Sequence, residues 1–195
     1  MALTSKELVA NAVAYLQKTT CYMKGMWCER LTPAEYNYKC EQYPKNKTYG
    51  NEKYINSDVY AADCICWIKQ LLAGGNVNRR LSYNEMISNP LGECTNQEFY
   101  DAIYDCCEPS QALPGYALAT TGHAAIYVGN GQWVDFNKTS GQNGIALHTG
   151  FAGTNFRCGK IPGITYEEPA PTPAVNEKEV IDRFLAFLRD LYLNR

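Results

Sequence analysis

The stretch DCICWIKQLLAGG, residues 63–75, is the most informative part of the sequence. Six of the eight positions from 65 to 72 are apolar or carry a thiol, and two are polar. A helix with so little polar surface is expected to be buried on nearly all sides. Asp63 is a favourable N-cap residue, and the glycine pair that follows the stretch is a favourable C-terminal stop. We therefore expect a central, buried helix that begins at Cys64.

Cys64 would lie in the first turn of this helix. Backbone N–H groups there lack intrahelical acceptors, and the positive end of the helix dipole favours a negative charge. Both effects stabilise a thiolate, so Cys64 is a candidate nucleophile. The alternative is packing, because cysteine is among the most buried residue types. Cys66 lies about 200° further around the helix, and we expect it to belong to the core.

Composition and charge exclude several classes of protein. The chain has 195 residues, of which 46% are hydrophobic, and this is enough for one well-filled domain. A net charge of −2 offers no basic surface for nucleic acid, and no apolar run is long enough to span a membrane. The N-terminal residues lack the charged and apolar regions of a signal peptide, so we expect synthesis in the cytoplasm.

Most of the nine cysteines are expected to be reduced thiols in such a chain. The sequence has no Cys-x-x-Cys pair and two histidines, and its Cys-x-Cys lies inside the buried helix. A zinc site is therefore disfavoured. No motif points to another cofactor, so we expect neither a metal nor a cofactor.

Hydrophobic periodicity predicts an α+β domain at residues 1–166, with helices first and strands later. One helix should begin after Thr4 and end near residue 18, and another is expected at 33–42 within a mostly irregular segment at 21–60. A further helix is predicted from Thr95 through Cys107. Strands are predicted at 116–119, 124–128, 132–136, 144–148 and 157–161.

The C-terminal part of the chain has a different composition. Residues 167–176 are rich in proline and alanine, which predicts an extended linker. Residues 177–195 repeat apolar side chains with three-four-three spacing, which predicts an amphipathic C-terminal helix. Such a stripe either docks on the domain or pairs with a second copy in a homodimer.

The two histidines are His123 and His148, and His123 begins a predicted strand. Side chains alternate between the two faces of a strand, which puts the apolar residues of strands 124–128 and 132–136 on one face. His123, Asp135 and Asn137 then share the other face, provided that the hairpin register pairs odd-numbered residues with odd-numbered ones. A three-residue loop at 129–131 provides this parity, whereas a two-residue loop at 130–131 does not. His123 then lies opposite Asn137 and diagonal to Asp135, within reach of either side chain.

These residues together suggest a cysteine hydrolase. The chemistry needs a thiol, an imidazole that keeps it ionised and protonates the leaving amine, and a polar group that orients the imidazole. Cys64 and His123 supply the first two, and Asp135 or Asn137 supplies the third. Taken singly, each also fits a structural role, such as a strand-edge histidine or a solvated carboxylate.

The motifs Asp63-Cys64 and GHAAIYVGNG at 122–131 resemble those of the NlpC-type cell-wall cysteine peptidases, which are papain-like hydrolases of bacteria and phages. The likeness runs from about residue 16 to 164, and in the phage and prophage lysin branch a Tyr-x-x-Gly matches residues 22–25. It implies a papain-like fold in which helices, including the one at Cys64, pack on an antiparallel sheet of about five strands. The chain departs from the family's usual motifs at Ile65-Cys66, where Ser-Gly or Val-Gly is common, and at Tyr116, where an acid is common.

The resemblance implies cleavage of an amide bond in peptidoglycan stem peptides, either by an endopeptidase or by an N-acetylmuramoyl-alanine amidase. Cys64 would be the nucleophile, His123 the base and then the acid, and Asp135 the residue that orients it. Tyr22 and Asn137 are the candidates for substrate and oxyanion binding. Release through a phage membrane pore would bring such a lysin to the wall. The alternatives are a toxin or effector that acts on a protein, and a catalytically silent interaction module.

Overall fold

The computed structural model describes residues 3–139 and 142–167, and these form a mixed α+β fold. The α-helices of this part are α1 (Ser5–Ala14), α2 (Pro33–Gln42), α3 (Cys64–Leu72), α4 (Tyr83–Met86) and α5 (Asn96–Ala102). Short 3₁₀ helices lie at Tyr15–Gln17, Pro44–Thr48, Glu52–Tyr54 and Pro109–Gln111. The strands are β1 (Leu3–Thr4), β2 (Thr20–Tyr22), β3 (Trp27–Glu29), β4 (Tyr60–Ala62), β5 (Tyr104–Cys107), β6 (Ala117–Thr120), β7 (His123–Gly129), β8 (Gln132–Thr139), β9 (Gln142–Thr149), β10 (Arg157–Lys160) and β11 (Ile164–Thr165).

The strands form three sheets. The largest is antiparallel, with the order β5-β10-β6-β7-β8-β9, so it has six strands and the expectation of about five was one too few. A three-stranded sheet has the order β2-β4-β3, and β1 pairs in parallel with β11. The five predicted strands correspond to β6 through β10.

Local signals placed most helices correctly. The helix after Thr4 is confirmed as α1, and Thr4 and Glu7 form a capping box at its start. The helix at 33–42 is confirmed as α2. The segment at 21–60, predicted to be mostly irregular, also contributes β2, β3 and β4, whose two or three ladder pairs are too short to give a clear alternation.

The helix predicted from Thr95 through Cys107 is wrong in its second half. α5 ends at Ala102, and the following residues form β5, which pairs with β10 through Cys107 and Cys158. Asp105 has a φ of 47°, which breaks any helical continuation. Tertiary pairing therefore overrides the local helical spacing.

α3 is the buried helix that the sequence predicts. All nine of its residues are buried, and its N-cap is Asp63. The ring centroid of Trp67 lies 5.9 Å from that of Phe136 in β8. This contact packs the helix on one face of the large sheet. The polar side chain of Gln70 is satisfied by the backbone of Trp27 and Leu81. The helix thus positions Cys64 against the sheet at a fixed depth.

The β7–β8 hairpin has the predicted register, but the predicted loop is wrong. Ala125 pairs with Asp135, as the alternation requires. The turn is made by two residues, Asn130 and Gly131, which have φ values of 54° and 71°. A β-bulge at Val128 adds one residue to β7 and restores the parity that a three-residue loop would have given.

The predicted C-terminal helix at 177–195 and the linker at 167–176, apart from residue 167, lie outside the described residues. Among the described residues, no helix is both long and apolar enough to cross a lipid bilayer.

Candidate active site

Asp63 fixes the start of α3 and the loop beside it. Its Oδ1 accepts a hydrogen bond from the N–H of Cys66 at 2.8 Å, and its Oδ2 accepts one from the N–H of Gly25 at 2.8 Å. Gly25 has a φ of 83°, and a Cβ there would come within 2.5 Å of the Tyr43 ring. The carboxylate therefore joins the Tyr-x-x-Gly and Asp-Cys motifs into one unit around Cys64.

Cys64 lies at the first helical position of α3, and its residue is 2% exposed. The N–H groups of Cys64 and Ile65 have no intrahelical acceptors, so they are available to an anion at the sulfur or at a bound carbonyl oxygen. Cys66 is also buried, and this burial raises the pKa of its thiol well above the usual value. Its assignment to the core is consistent with this environment.

The hairpin brings His123 to Asp135. The Nε2 of His123 lies 2.6 Å from Oδ2 of Asp135, which is 1% exposed. Of the two candidates to orient the imidazole, Asp135 makes the contact to the ring. With Nε2 bound to the carboxylate, Nδ1 is the nitrogen left for a proton exchanged with a thiol.

Asn137 and a second histidine support the carboxylate. The amide Nδ2 of Asn137 lies 3.0 Å and 2.9 Å from the two oxygens of Asp135. The Nε2 of His148 lies 2.9 Å from Oδ1 of Asp135, and its ring stacks on Trp133 at 3.9 Å between centroids. Asn137 therefore donates to Asp135, and its amide hydrogens are not directed at the oxyanion position that was considered for it.

The surroundings of His123 and Asp135 favour a protonated imidazole and an ionised carboxylate. Burial lowers the pKa of His123, but the hydrogen bond to Asp135 and the proximity of the Cys64 thiol outweigh burial and raise the pKa to about 10. Burial raises the pKa of Asp135, but hydrogen bonds from His123 and Asn137 outweigh it and lower the pKa. At neutral pH the imidazole is thus held protonated beside an ionised carboxylate.

Tyr22 lies on β2 beside the nucleophile. Its ring packs against Tyr49 at 5.7 Å between centroids, and burial together with the nearby Cys64 raises the pKa of its hydroxyl. Its N–H donates to Oδ1 of Asn143 at 2.9 Å, which anchors β2 to β9. Gly144 permits this close approach, since a Cβ there would collide with Thr20. The tyrosine is therefore held in place as a neutral hydroxyl donor.

Asn96 and His148 are neighbours of the site that the sequence reasoning did not assign. The Sγ of Cys64 lies 3.6 Å from Oδ1 of Asn96, and Nδ2 of Asn96 donates to the carbonyl of Gly122 at 3.2 Å. No local pattern points from Asn96 to the thiol. A register for β8 and β9 would have indicated His148, because it pairs with Trp133, two positions from Asp135.

A groove runs over the nucleophile in three lobes. The central lobe, about 420 Å³, is lined by Cys64, Tyr22 and Asn96 among others. The histidine lobe, about 430 Å³, contains His123, Asp135 and His148. The large lobe, about 840 Å³, extends along the side of α3 that carries Cys66 and Lys69. Tyr22 and Tyr49 line both the central and the histidine lobes, and Asn96 and Gly122 line both the central and the large lobes. An extended peptide would fit along this path.

Within residues 3–139 and 142–167, no group of three His, Cys, Asp or Glu side chains is arranged to hold a metal ion. All nine cysteines carry free thiols, and the nearest cross-strand pair, Cys107 and Cys158, has its sulfurs 3.8 Å apart.

Neither a family model nor a curated protein sequence matches this chain. Its function must therefore be inferred from the side chains that the fold brings together around Cys64.

Proposed function

We propose that this protein is a papain-like cysteine hydrolase that cleaves an amide bond in the stem peptides of peptidoglycan, as an NlpC-type peptidase of the lysin kind would. One observation carries the proposal. Cys64 lies at the N-terminus of a buried helix, beside an imidazole whose far nitrogen is 2.6 Å from a buried carboxylate. A nucleophile, its base and the group that orients the base are the minimum set for this chemistry.

The arrangement supports a papain-like fold because the nucleophile and its base come from different layers. α3 supplies the thiol from the helical layer, and the antiparallel sheet supplies His123 from β7 and Asp135 from β8. The Gly-His and Asp-Cys motifs that resemble the NlpC-type peptidases are the segments that meet here. The match between motif and position is what favours this family over an unrelated thiol enzyme.

The proposed reaction has two halves. The thiolate of Cys64 attacks the carbonyl carbon, and the N–H of Cys64 with the hydroxyl of Tyr22 stabilises the oxyanion, where one good donor is typically worth about 3 kcal/mol. The C–N bond breaks as His123 gives its proton to the leaving amine, and a thioester remains. Water then attacks the thioester while His123 takes its proton, and the C–S bond breaks to release the acid and restore the thiolate.

Digestion of purified cell walls tests the proposal directly. The wild-type chain should release soluble muropeptides, and Cys64→Ala should release none above background. Cys106→Ala is the control, because it removes an exposed thiol that does not line the groove and should retain activity. Equal release by wild type and Cys64→Ala would refute the proposal. Mass spectrometry of the new termini separates an endopeptidase from an amidase, and cleavage of proteins but not of stem peptides would indicate a toxin or effector.

Thiol reactivity tests the site without a substrate. Iodoacetamide at pH 7 should alkylate Cys64 faster in the folded chain than in the denatured chain, because the imidazole of His123 can accept the proton of the attacking sulfur. His123→Ala should remove this advantage. A folded rate no faster than the denatured rate would instead favour an interaction module without catalysis.

A further inference from the structure

Lys69 is a buried cation in the large lobe of the groove. It lies on α3, is 5% exposed and lines this lobe together with Cys66. Its Nζ donates one hydrogen bond, to the carbonyl of Cys94 at 3.3 Å. In residues 3–139 and 142–167, no carboxylate lies within 4.0 Å of this ammonium. Glu98, whose carboxylate feels its charge, is instead held by the N–H of Thr95.

An ammonium in this position is costly to the protein by itself. Burial removes water from the charge, and one neutral carbonyl replaces only part of the lost hydration. A methionine of similar length would fill the same space with no charge to desolvate. Packing explains the aliphatic part of the Lys69 side chain but not its ammonium group. An anion bound in the lobe would compensate the charge of the ammonium.

The other charged residues that line the large lobe also favour a bound anion. Lys24 and Lys39 line the same lobe, so three cations meet there although the whole chain carries a net charge of −2. Of the carboxylates that line the lobe, Asp63 has both oxygens bound to backbone N–H groups, and Glu93 interacts with the hydroxyl of Tyr83. The lobe therefore has an excess of positive charge next to the nucleophile.

We propose that the large lobe is a carboxylate subsite, in which Lys69 binds a free carboxylate of the substrate peptide. This inference rests on the proposed function and specifies which substrates that function accepts. Lys69 follows Cys64 by five residues, which is about 7.5 Å along a helix. An extended peptide covers about 3.3 Å per residue, so the carboxylate belongs to a residue about two positions from the cleaved bond.

Paired synthetic stem peptides test the subsite. The two peptides are identical except that one carries a free carboxylate two positions from the cleaved bond and the other a carboxamide there. The full-length wild type should cleave the carboxylate peptide with a kcat/KM at least tenfold higher. Lys69→Met should lose this preference by slowing on the carboxylate peptide, while its kcat/KM for the carboxamide peptide stays within twofold.

Two control variants complete the design. Lys47→Met removes a charge from an exposed position outside the groove and should keep the full preference. Lys69→Arg keeps the charge and should retain a preference for the carboxylate. If wild type does not discriminate between the peptides, or if Lys69→Met still does, the carboxylate subsite is refuted while the hydrolase remains supported.

Binding separates the failure of the subsite from the failure of the proposed function. Calorimetric titration of the inactive Cys64→Ala chain with the same two peptides should give at least tenfold tighter binding of the carboxylate peptide. The double variant with Lys69→Met should bind both peptides equally. If no stem peptide is cleaved or bound by any form, the proposed function fails, and the subsite argued from it fails as well. Lys69→Met should unfold at the wild-type temperature or above it, since the variant removes a buried charge and loses no ion pair.

Discussion

Asp135 accepts hydrogen bonds from His123, Asn137 and His148 at a position that water does not reach. Because the pKa of His123 is raised in the fold, its stabilising contribution is complete below its ordinary value of 6.5 and is lost as the pH rises toward 10. Because the pKa of Asp135 is lowered, its contribution is present above its ordinary value of 3.8 and is lost in acid.

Asp135→Asn should therefore destabilise the protein in a pH-dependent way. The loss in free energy of unfolding should be greatest between pH 5 and 6.5, at about 3 kcal/mol, because the variant leaves a half-buried imidazolium without its counter-ion. The loss should shrink as the pH approaches 10. Urea unfolding of both chains at pH 5.5, 8 and 10 measures it. A difference in free energy of unfolding that stays constant over this pH range would contradict an ion pair between His123 and Asp135.

We predict that His148 is a positioning residue that acts through Asp135. His148→Phe keeps an aromatic ring to stack on Trp133 but removes the hydrogen bond to the carboxylate. We expect a loss of about 1.5 kcal/mol in free energy of unfolding and about tenfold in kcat/KM, which are usual for a hydrogen bond to a charged group and a loosened base. His148→Gln can restore a donor and should recover part of both. If the two variants behave alike, the hydrogen bond has no role.

At the scale of elements, the cap of α3 differs from the other helix caps because it is buried. Asp63→Ala leaves the N–H groups of Cys66 and Gly25 without acceptors, and we expect a loss of about 2–3 kcal/mol. Thr32→Ala removes the exposed cap of α2 and should cost about 1 kcal/mol. Chemical denaturation compares them, and equal costs would mean that Asp63 contributes no more than an ordinary cap.

The same elements mark how far sequence patterns could go. The buried helix, the strands from β6 to β10 and the facing of His123 and Asp135 followed from the spacing of apolar residues, because burial dictates that spacing. β5 and the three short strands β2, β3 and β4 did not follow, since their conformation is set by partners distant in the chain. Asn96 and His148 reach the site through tertiary packing and β-strand register, which local patterns do not contain.

For the whole molecule, Tyr166 joins the end of the described chain to its middle. Its hydroxyl accepts from the N–H of Ile161 at 2.8 Å and donates to the carbonyl of Gly115 at 3.1 Å, close to where β11 pairs with β1. Tyr166→Phe should lower the free energy of unfolding by about 1–2 kcal/mol, because two backbone groups lose a partner. Tyr104→Phe, at a residue that is 43% exposed, should change it by less than about 0.5 kcal/mol. Similar losses in free energy of unfolding from both variants would contradict a stabilising role for the two hydrogen bonds of Tyr166.

In the proposed hydrolase, the division of the site between helix and sheet also determines when a newly made chain can become reactive. Cys64 leaves the ribosome 59 residues before His123 and 71 before Asp135. At translation speeds of about 5–20 residues per second, the thiol waits several seconds without its imidazole. His148 and the strand β10 that sits between β5 and β6 arrive later still. The nascent chain of the proposed hydrolase therefore lacks the base for its thiol until β7 and β8 have been made, and its site is complete only when these strands have paired.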